Sequence, residues 1–442
     1  MIDRRRLLAG TGAACASLAW TRSLAATGRS SDFRFMAAGD LLGPSTDRID
    51  MNDPDVRQLA GLIGGSHAAF ANLEGNLFDP ATFKGYASAE NGGGYPLIDP
   101  QNGLLLRKLG VNLLSRANNH ALDWGYDGLA ATTAALDQLG FVHAGVGASL
   151  TAARRPGILQ TPKGSVALIA CASSFTGMSP ASDGVRGTAP RPGINPLSVS
   201  PVNLVTREEM DGLIRTAHRI GWQGQDLPKA DATQVRINNV VYRVGDRTGM
   251  TYLVSDTDRA AILKSVAEAR SLADYVALSI HAHETLSGGY EDTAPADFLP
   301  GFFRDAIDAG ADVIVRHGPH ATKGLEMYQG KPIFHGMGSM FFAMDRTVTM
   351  AGEGPKEAKL TLKLPDSWFE TALGVASYDG RKLKEVRFHP MMLREGKGQT
   401  RGFPVPAQGK DAERILGALR EQSAALGTPI RVVGGLGVYT PG

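Results

Sequence analysis

Val111-Asn-Leu-Leu-Ser115, running on through Arg116-Ala117-Asn118-Asn119-His120-Ala-Leu-Asp123-Trp-Gly125, is the stretch on which the fold of this chain turns. The apolar run reads as a short buried strand. Two amides and an imidazole at its tip have no use in packing. They offer ligand atoms, hydrogen bonds and a group that titrates near neutral pH. The same arrangement recurs along the chain. Residues 33–38 lead into Gly39-Asp40, residues 67–71 into Asn72-Leu73-Glu74, and residues 141–144 into Gly145-Val-Gly147. Residues 275–280 lead into His281-Ala-His283-Glu284, residues 311–315 into Arg316-His317-Gly-Pro-His320, and residues 331–334 into His335-Gly-Met-Gly338-Ser339.

Helical patterns fall between these runs. Leu129, Thr132, Thr133, Leu136 and Leu139 share one face, with Gly140 placed to end the helix. Ile262, Leu263, Val266 and Leu272 share another, started near Thr257 or Asp258, and Phe302, Phe303, Ala306 and Ile307 a third, stopped by Gly310. Alternating strands and helices predict a layered α/β fold, whose sites gather at the carboxyl ends of strands. Residues 172–259 differ: rich in Pro, Gly and Ser, they read as a long insertion with a short helix near 207–220, of the kind that serves as a lid or recognition element. Near the C-terminus, residues 371–377 and 385–392 read as strands joined by Tyr378-Asp379-Gly380-Arg381, a hairpin signal, and residues 410–424 as an amphipathic helix.

The chain has 442 residues, enough for one large domain with insertions or for two domains. With 43% hydrophobic and 20% charged residues and a net charge of +2, it is an ordinary globular protein with no field that favours nucleic acid. Arg4-Arg5-Arg6-Leu7-Leu8, an apolar stretch to about Trp20 and Ser23-Leu24-Ala25 make residues 1–26 a twin-arginine (Tat) type export signal. An uncut membrane anchor is the alternative, but the apolar stretch is shorter than the roughly 20 residues a spanning helix needs. The expected location is therefore periplasmic or extracellular. Only Cys15 and Cys171 occur, and after cleavage Cys171 stands alone as a small buried hydrophobe.

Asp40, Glu74, Asn119, His120, His281, His283, His317 and His320 each follow a strand. Such a mixture of oxygen and nitrogen donors suits a divalent ion such as Mn, Fe or Zn, and this many donors suits two as well as one. His281 and His283, two apart on a strand, face one way, and the Gly-Pro turn brings His317 toward His320. Singly, each has a plainer reading: Asp40 as a helix cap, Glu74 as a solvated strand end, the His281–His283 pair as chance. His335, His143 and Tyr290 read as supporting residues, and His67, His218 and His389 as outside any site. Arg191 and Arg316 are candidate carboxylate holders through bidentate geometry, or else solvated arginines.

Together these motifs resemble the CapA family of poly-γ-glutamate capsule synthesis proteins, a branch of the calcineurin-like metallophosphoesterase superfamily. The resemblance rests on Gly39-Asp40, Asn72-Leu73-Glu74, Ala117-Asn118-Asn119-His120 with Asp123 and Gly125, and Gly145-Val-Gly147 ahead of Ala152 and Pro156. It continues through His281, His317-Gly-Pro-His320, Lys323-Gly324-Leu-Glu326 and Gly338-Ser339. It covers residues 33–345, leaving 346–442 as a small β-rich extension packing on the same domain. It implies a four-layer α/β/β/α sandwich. It implies metal ligands at Asp40, Glu74, Asn119, His281, His317 and His320, with His283 beside them. His120 becomes the catalytic imidazole with Asp123 next to it, and Asn118, Arg191, Glu284 and Arg316 become candidates for binding substrate.

Three positions depart from the family pattern. Leu42 stands where the superfamily's Asp-x-His has its histidine, His281-Ala-His283-Glu284 replaces His-Trp-Gly-x-Glu, and Arg316-His317-Gly318-Pro-His320 replaces Gly-His-His-Pro-His. These changes leave open one metal rather than two, and amide rather than phosphoester chemistry. The expected function is an exported, metal-dependent, hydrolase-like protein acting on a γ-glutamyl polymer or related peptide. The alternatives are a non-catalytic polymer-binding partner of a membrane capsule synthase, and a peptide Cα epimerase using the same pocket.

Overall fold

In this computed structural model, residues 32–43, 50–221, 227–289, 292–344, 346–351, 359–395 and 401–442 are described. Residues 1–26, for which the sequence predicts an export signal, and Tyr290 lie outside the described residues. Two sheets face each other. The first has ten strands, in the order Arg431–Val433, Leu436–Tyr439, Lys382–Leu393, Glu370–Asp379, Asp32–Leu42, Ala68–Leu73, Leu113–Ser115, Val142–Ala144; Ser339–Phe342 pairs with the end of Asp32–Leu42, and Pro404–Pro406 pairs with Lys382–Leu393. The second has six, in the order Thr322–Tyr328, Lys331–Met337, Val313–His317, Tyr275–His281, Gly164–Ala172, Gly157–Thr161. The inner strands of the second sheet are parallel, as are the four from Asp32–Leu42 to Val142–Ala144 in the first.

The layers follow from which faces are apolar. Phe33, Phe35, Phe70, Leu168, Tyr275, Val315, Phe334 and Phe388 fill the space between the sheets. Burying each of the larger side chains contributes roughly 2–3 kcal/mol. Helices Pro54–Gly64 and Pro100–Leu109 cover the outer face of the first sheet through Val56, Leu59, Ile63, Leu105 and Leu106. Asp256–Ala269 and Phe298–Asp308 cover the second through Ile262, Val266, Phe302 and Phe303. The result is the four-layer α/β/β/α sandwich.

Local sequence explains the ends of these elements. Asp53 Oδ1 accepts from the Asp55 N–H at 2.8 Å and caps its helix. The helix Asp256–Ala269 is capped by Ser255, two or three residues before the expected start near Thr257 or Asp258, because Ser255 Oγ accepts from the Asp258 N–H at 3.2 Å. Glu370–Asp379 and Lys382–Leu393 form the Asp-Gly hairpin, and this hairpin lies at the heart of the first sheet, with Glu370–Asp379 antiparallel to Asp32–Leu42. The final helix, Gly409–Ala425, buries Leu419 against the inter-sheet core, and its Ser423 Oγ accepts from the Leu325 N–H at 3.0 Å.

The insertion is more ordered than its composition suggested. Val199–Val205, Gln234–Ile237, Val240–Val244 and Gly249–Val254 form a four-stranded sheet of their own. Helix Arg207–Ile220, held by a Thr206–Glu209 capping box, packs on it through Met210 and Ile214 against Val205 and Val235. This lobe reaches the sandwich where the Tyr252 hydroxyl donates to the Thr285 carbonyl at 3.1 Å, two residues beyond His283.

Candidate metal centre

Both sheets present the carboxyl ends of their parallel strands on one side, and the polar tips meet there. Asp40 can reach this point because Gly39 lies against Gly338: a Cβ on Gly39 would sit 1.6 Å from the Gly338 carbonyl oxygen. The first sheet thus contributes Asp40, Glu74 and the Asn118–His120 turn, and the second His281, His283, His317 and His320.

Three groups of donor atoms lie within 4.8 Å of one another: Asp40 with His281 and His317, Glu74 with His281 and His283, and Asp40 with Glu74 and His320. His317 Nδ1 stands 3.6 Å from Asp40 Oδ1, His320 Nδ1 3.3 Å from Asp40 Oδ2, and His281 Nε2 3.5 Å from Glu74 Oε1. His281 Nδ1 and His317 Nδ1 are 3.0 Å apart. That is the spacing of two neighbouring ligands on one ion with bonds of about 2.1 Å. Asn119 Oδ1 is buried and has no hydrogen-bond partner among the described residues, and Glu74 Oε2 shares that condition. An orphaned carboxylate oxygen on Glu74, grouped with the Asp40 carboxylate and the imidazoles, lacks a positive charge, and a divalent cation fits that set.

The electrostatics agree. Burial, followed by the repulsion between like imidazolium forms in a cluster shared with His283, His317, His320 and His120, holds the His281 imidazole well below its usual value. Burial pushes His283 down to about 3 and His317 to about 4. These three rings are neutral at pH 7 and offer lone pairs. Burial, then the Asp40 and Asp123 carboxylates, raises Glu74 well above the ordinary range. Burial alone would raise Asp40 too, but the hydrogen bond and charge of His320, with His317 and the Asn72 amide, bring it below its ordinary value. His320 itself has φ +53°, a left-handed conformation unusual outside glycine, of the kind that persists where surrounding contacts hold it.

Polar neighbours orient the donors. Asn72 Nδ2 donates to Asp40 Oδ1 at 2.9 Å, and Asn118 Nδ2 donates to Asn72 Oδ1 at 3.1 Å and to the Leu73 carbonyl at 2.7 Å. The Gly318 N–H donates to Asp40 Oδ2 at 3.0 Å. Ser279 Oγ lies 2.7 Å from His317 Nε2, and Ser339 Oγ 3.2 Å from His320 Nδ1. His120 Nδ1 lies 2.6 Å from Asp123 Oδ2, so Asp123 fixes the ring and leaves Nε2 for other work. Sequence reading missed Asn72, Ser279 and Ser339 as supporting residues. A lone serine inside the apolar run 275–280 was the available signal for one of them.

The residues expected to bind substrate are engaged otherwise. Arg316 is buried, donates through Nε to the Ala282 carbonyl at 3.0 Å and through Nη2 to the Glu284 carbonyl at 2.7 Å, and so braces the loop after His281 instead of holding a carboxylate. The Glu284 carboxylate accepts from Ser173 Oγ at 2.7 Å and Ser174 Oγ at 3.0 Å. Asn118 is buried, with its amide used by Asn72, Leu73 and the His120 N–H. Arg191 is exposed and donates to the Pro180 carbonyl at 3.1 Å within its own loop, and its polar contacts do not reach the cluster. Leu42, in place of a histidine, packs with Phe342, Phe369 and Leu393.

A two-sheet sandwich whose strand tips converge on carboxylates and imidazoles defines a metallophosphoesterase-like protein. More narrowly, residues 34–344 match the bacterial capsule synthesis protein family PGA_cap, and the chain belongs to that family. An uncharacterized protein of Sinorhizobium fredii, y4sH, is 33% identical over 427 residues, covering 90% of this chain and 91% of its own. A probable polyglutamine synthesis accessory protein of Mycobacterium tuberculosis, Rv0574c, is 28% identical over 55% of this chain and 48% of its own. The PGA biosynthesis protein CapA of Bacillus subtilis is 33% identical over 96 residues, 22% of this chain and 24% of its own. The chain is thus a CapA-family protein of capsule biosynthesis.

Proposed function

We propose that this chain is an exported, metal-dependent hydrolase that cleaves an amide bond in an acidic capsule polymer of γ-glutamyl type, or in a related peptide. The observation that carries the reading is the convergence of Asp40, Glu74, His281, His283, His317 and His320, with the His120–Asp123 pair and the unpartnered Asn119 Oδ1 on the adjoining turn. Those residues would hold one or two divalent ions, of the Mn, Fe or Zn class, which when bound supply Lewis-acid polarisation of a carbonyl oxygen. The chain's own groups do the rest. Water adds to the carbonyl carbon and gives one proton to His120 Nε2, the C–N bond breaks, and Nε2 passes that proton to the departing nitrogen while Asp123 steadies the ring through Nδ1–H. Export rests on residues 1–26, and a membrane synthase that makes the polymer is the expected partner.

The test is to purify the mature protein, measure bound transition metal, and follow the chain length of poly-γ-glutamate with the wild type and with His120→Ala. Bound metal with polymer shortening, lost by about 10²–10⁴-fold in the variant, supports the reading. Metal-free protein and unchanged polymer refute it. The name of the mycobacterial relatives points to a second reading, an accessory protein that holds polymer without turnover. Polymer binding that survives His120→Ala, with no cleavage by the wild type, decides for it.

A further inference from the structure

Residues 85–96 belong to none of the motifs above, yet they lie directly on the Asn119–Asp123 turn. The Ser88 N–H donates to the Asp123 carbonyl at 2.7 Å, and Ser88 Oγ donates to the Leu122 carbonyl at 2.8 Å. The Tyr95 hydroxyl donates back to the Ser88 carbonyl at 2.7 Å, and Asn91 Oδ1 accepts from the Gly93 and Gly94 N–H groups at 3.0 and 2.8 Å. The Glu90 carboxylate accepts from the Gly177 N–H at 2.7 Å and the Met178 N–H at 3.0 Å, which pins the segment to the start of the insertion.

At the centre is Gly92. Its carbonyl accepts from Asn119 Nδ2 at 2.8 Å, and its N–H donates to Asp123 Oδ1 at 2.8 Å. The first bond fixes which end of the Asn119 amide is already taken. With Nδ2 held by Gly92, Oδ1 is the atom left for the cation, and it is the one without a protein partner among the described residues. The second bond holds the far oxygen of the carboxylate whose other oxygen orients His120. Glycine is required here for space: a Cβ would lie 2.6 Å from the Asn119 carbonyl oxygen and 2.9 Å from His120 Nδ1.

We propose that Gly92 is a positioning residue for both halves of the centre, setting the Asn119 amide toward the metal and the Asp123–His120 pair toward the substrate. One residue, through the two peptide groups that flank its Cα, therefore couples metal affinity to the orientation of the proton donor, in the manner of the outer partners that orient metal ligands elsewhere. This rests on the metal reading proposed above for its first half only; the Asp123–His120 half stands without it.

The experiment compares the wild type with Gly92→Ala in two backgrounds, native Asn119 and Asn119→Asp. Mn²⁺ and Zn²⁺ affinity is measured by titration, and the hydrogen-bonded His120 Nδ1–H is followed as a downfield proton resonance. A carboxylate at 119 has an oxygen at either end and does not need Gly92 to choose one. The expected result is a loss of about 10–100-fold in metal affinity with Asn119, no further loss with Asn119→Asp, and disappearance of the His120 resonance in Gly92→Ala. Unchanged affinity and resonance overturn the proposal, and so does an equal loss in both backgrounds, which marks a merely steric disturbance. If the wild type binds no metal, the functional reading fails by itself, and the resonance alone judges Gly92. Should Gly92→Ala not fold, Glu90→Ala, which frees the anchor at Gly177 and Met178, takes its place: the same losses support the proposal, and unchanged affinity and resonance overturn it.

Discussion

Ser279 offers the sharpest test of how the centre is built. It sits in the buried strand Tyr275–His281, two residues before His281, with Oγ 2.7 Å from His317 Nε2. His317 is neutral at pH 7, since burial first, only partly offset by Asp40, brings it down to about 4. A neutral imidazole carries one proton. For Nδ1, which faces Asp40 and His281, to offer its lone pair, that proton must sit on Nε2, and Ser279 Oγ is the acceptor waiting for it. In Ser279→Ala the Nε2–H is buried without a partner, which costs about 1–3 kcal/mol against the ligand-ready tautomer. Outer-partner losses at metal sites cost about 10–100-fold in affinity, or about 1.4–2.8 kcal/mol, the same range. The assay is competition of Zn²⁺ or Mn²⁺ with a chelator of known affinity, wild type against variant, with thermal melting to confirm the fold. A variant that binds as tightly as the wild type refutes the idea that Ser279 sets the tautomer.

Asp312 should give an acid-dependent stability. It is buried and accepts from Lys331 Nζ at 2.6 Å, Arg381 Nη2 at 2.8 Å and the Val276 N–H at 3.0 Å, and these outweigh burial to bring its carboxyl below the ordinary value. Because the folded value is depressed, its contribution is complete above about pH 4 and fades as pH falls through the folded value; Asp312→Asn should cost about 2–3 kcal/mol at pH 7 by denaturant melts, with the gap to wild type narrowing below about pH 4. Arg116 should show the opposite sign. It is fully buried, with Nε and Nη2 unpartnered among the described residues and only Nη1 bonded, to Thr133 Oγ1 at 3.2 Å, and burial lowers it to about 9. Arg116→Met should raise stability by at least about 1 kcal/mol, and a lower unfolding midpoint would show that the buried cation is compensated after all.

What the sequence made legible was periodicity that ends in a polar residue. A buried parallel strand is a short apolar run, and a cluster at its carboxyl end must interrupt that run, so Asp40, Glu74, His281 and His317, which the fold brings together, announce themselves. The insertion did not, because its strands are half exposed, one carries Pro201, and their alternation is diluted by Arg236 and Arg243. One signal was present: Asn238-Asn239 between two alternating runs, with φ +49° and +65°, is the hairpin turn that joins Gln234–Ile237 to Val240–Val244. The hairpin 370–393 was visible from Asp379-Gly380, but its place beside Asp32–Leu42 was not, since pairing across some 340 positions leaves no local trace. Arg316 misled for a related reason. An arginine beside a ligand histidine looks the same in sequence whether its guanidinium meets solvent or, as here, two backbone carbonyls.

The centre draws its donors from two sheets that no continuous hydrogen-bond ladder joins among the described residues. Asp40 and Glu74 ride on one layer, His281 and His317 on the other. They meet through the aromatic packing of Phe33, Phe35, Phe70 and Phe334 and through the Gly39–Gly338 contact at the rim. Close-packed layers have one low-energy spacing, so the core fixes the distances among the donors more firmly than any loop could. The dependence runs both ways. A cation held by both layers binds the folded state and not the unfolded one, and so adds its binding free energy to the stability of the sandwich. It also removes the repulsion that raises Glu74 against Asp40. The cluster is therefore a site that the sandwich assembles and, once filled, a fastening between its halves.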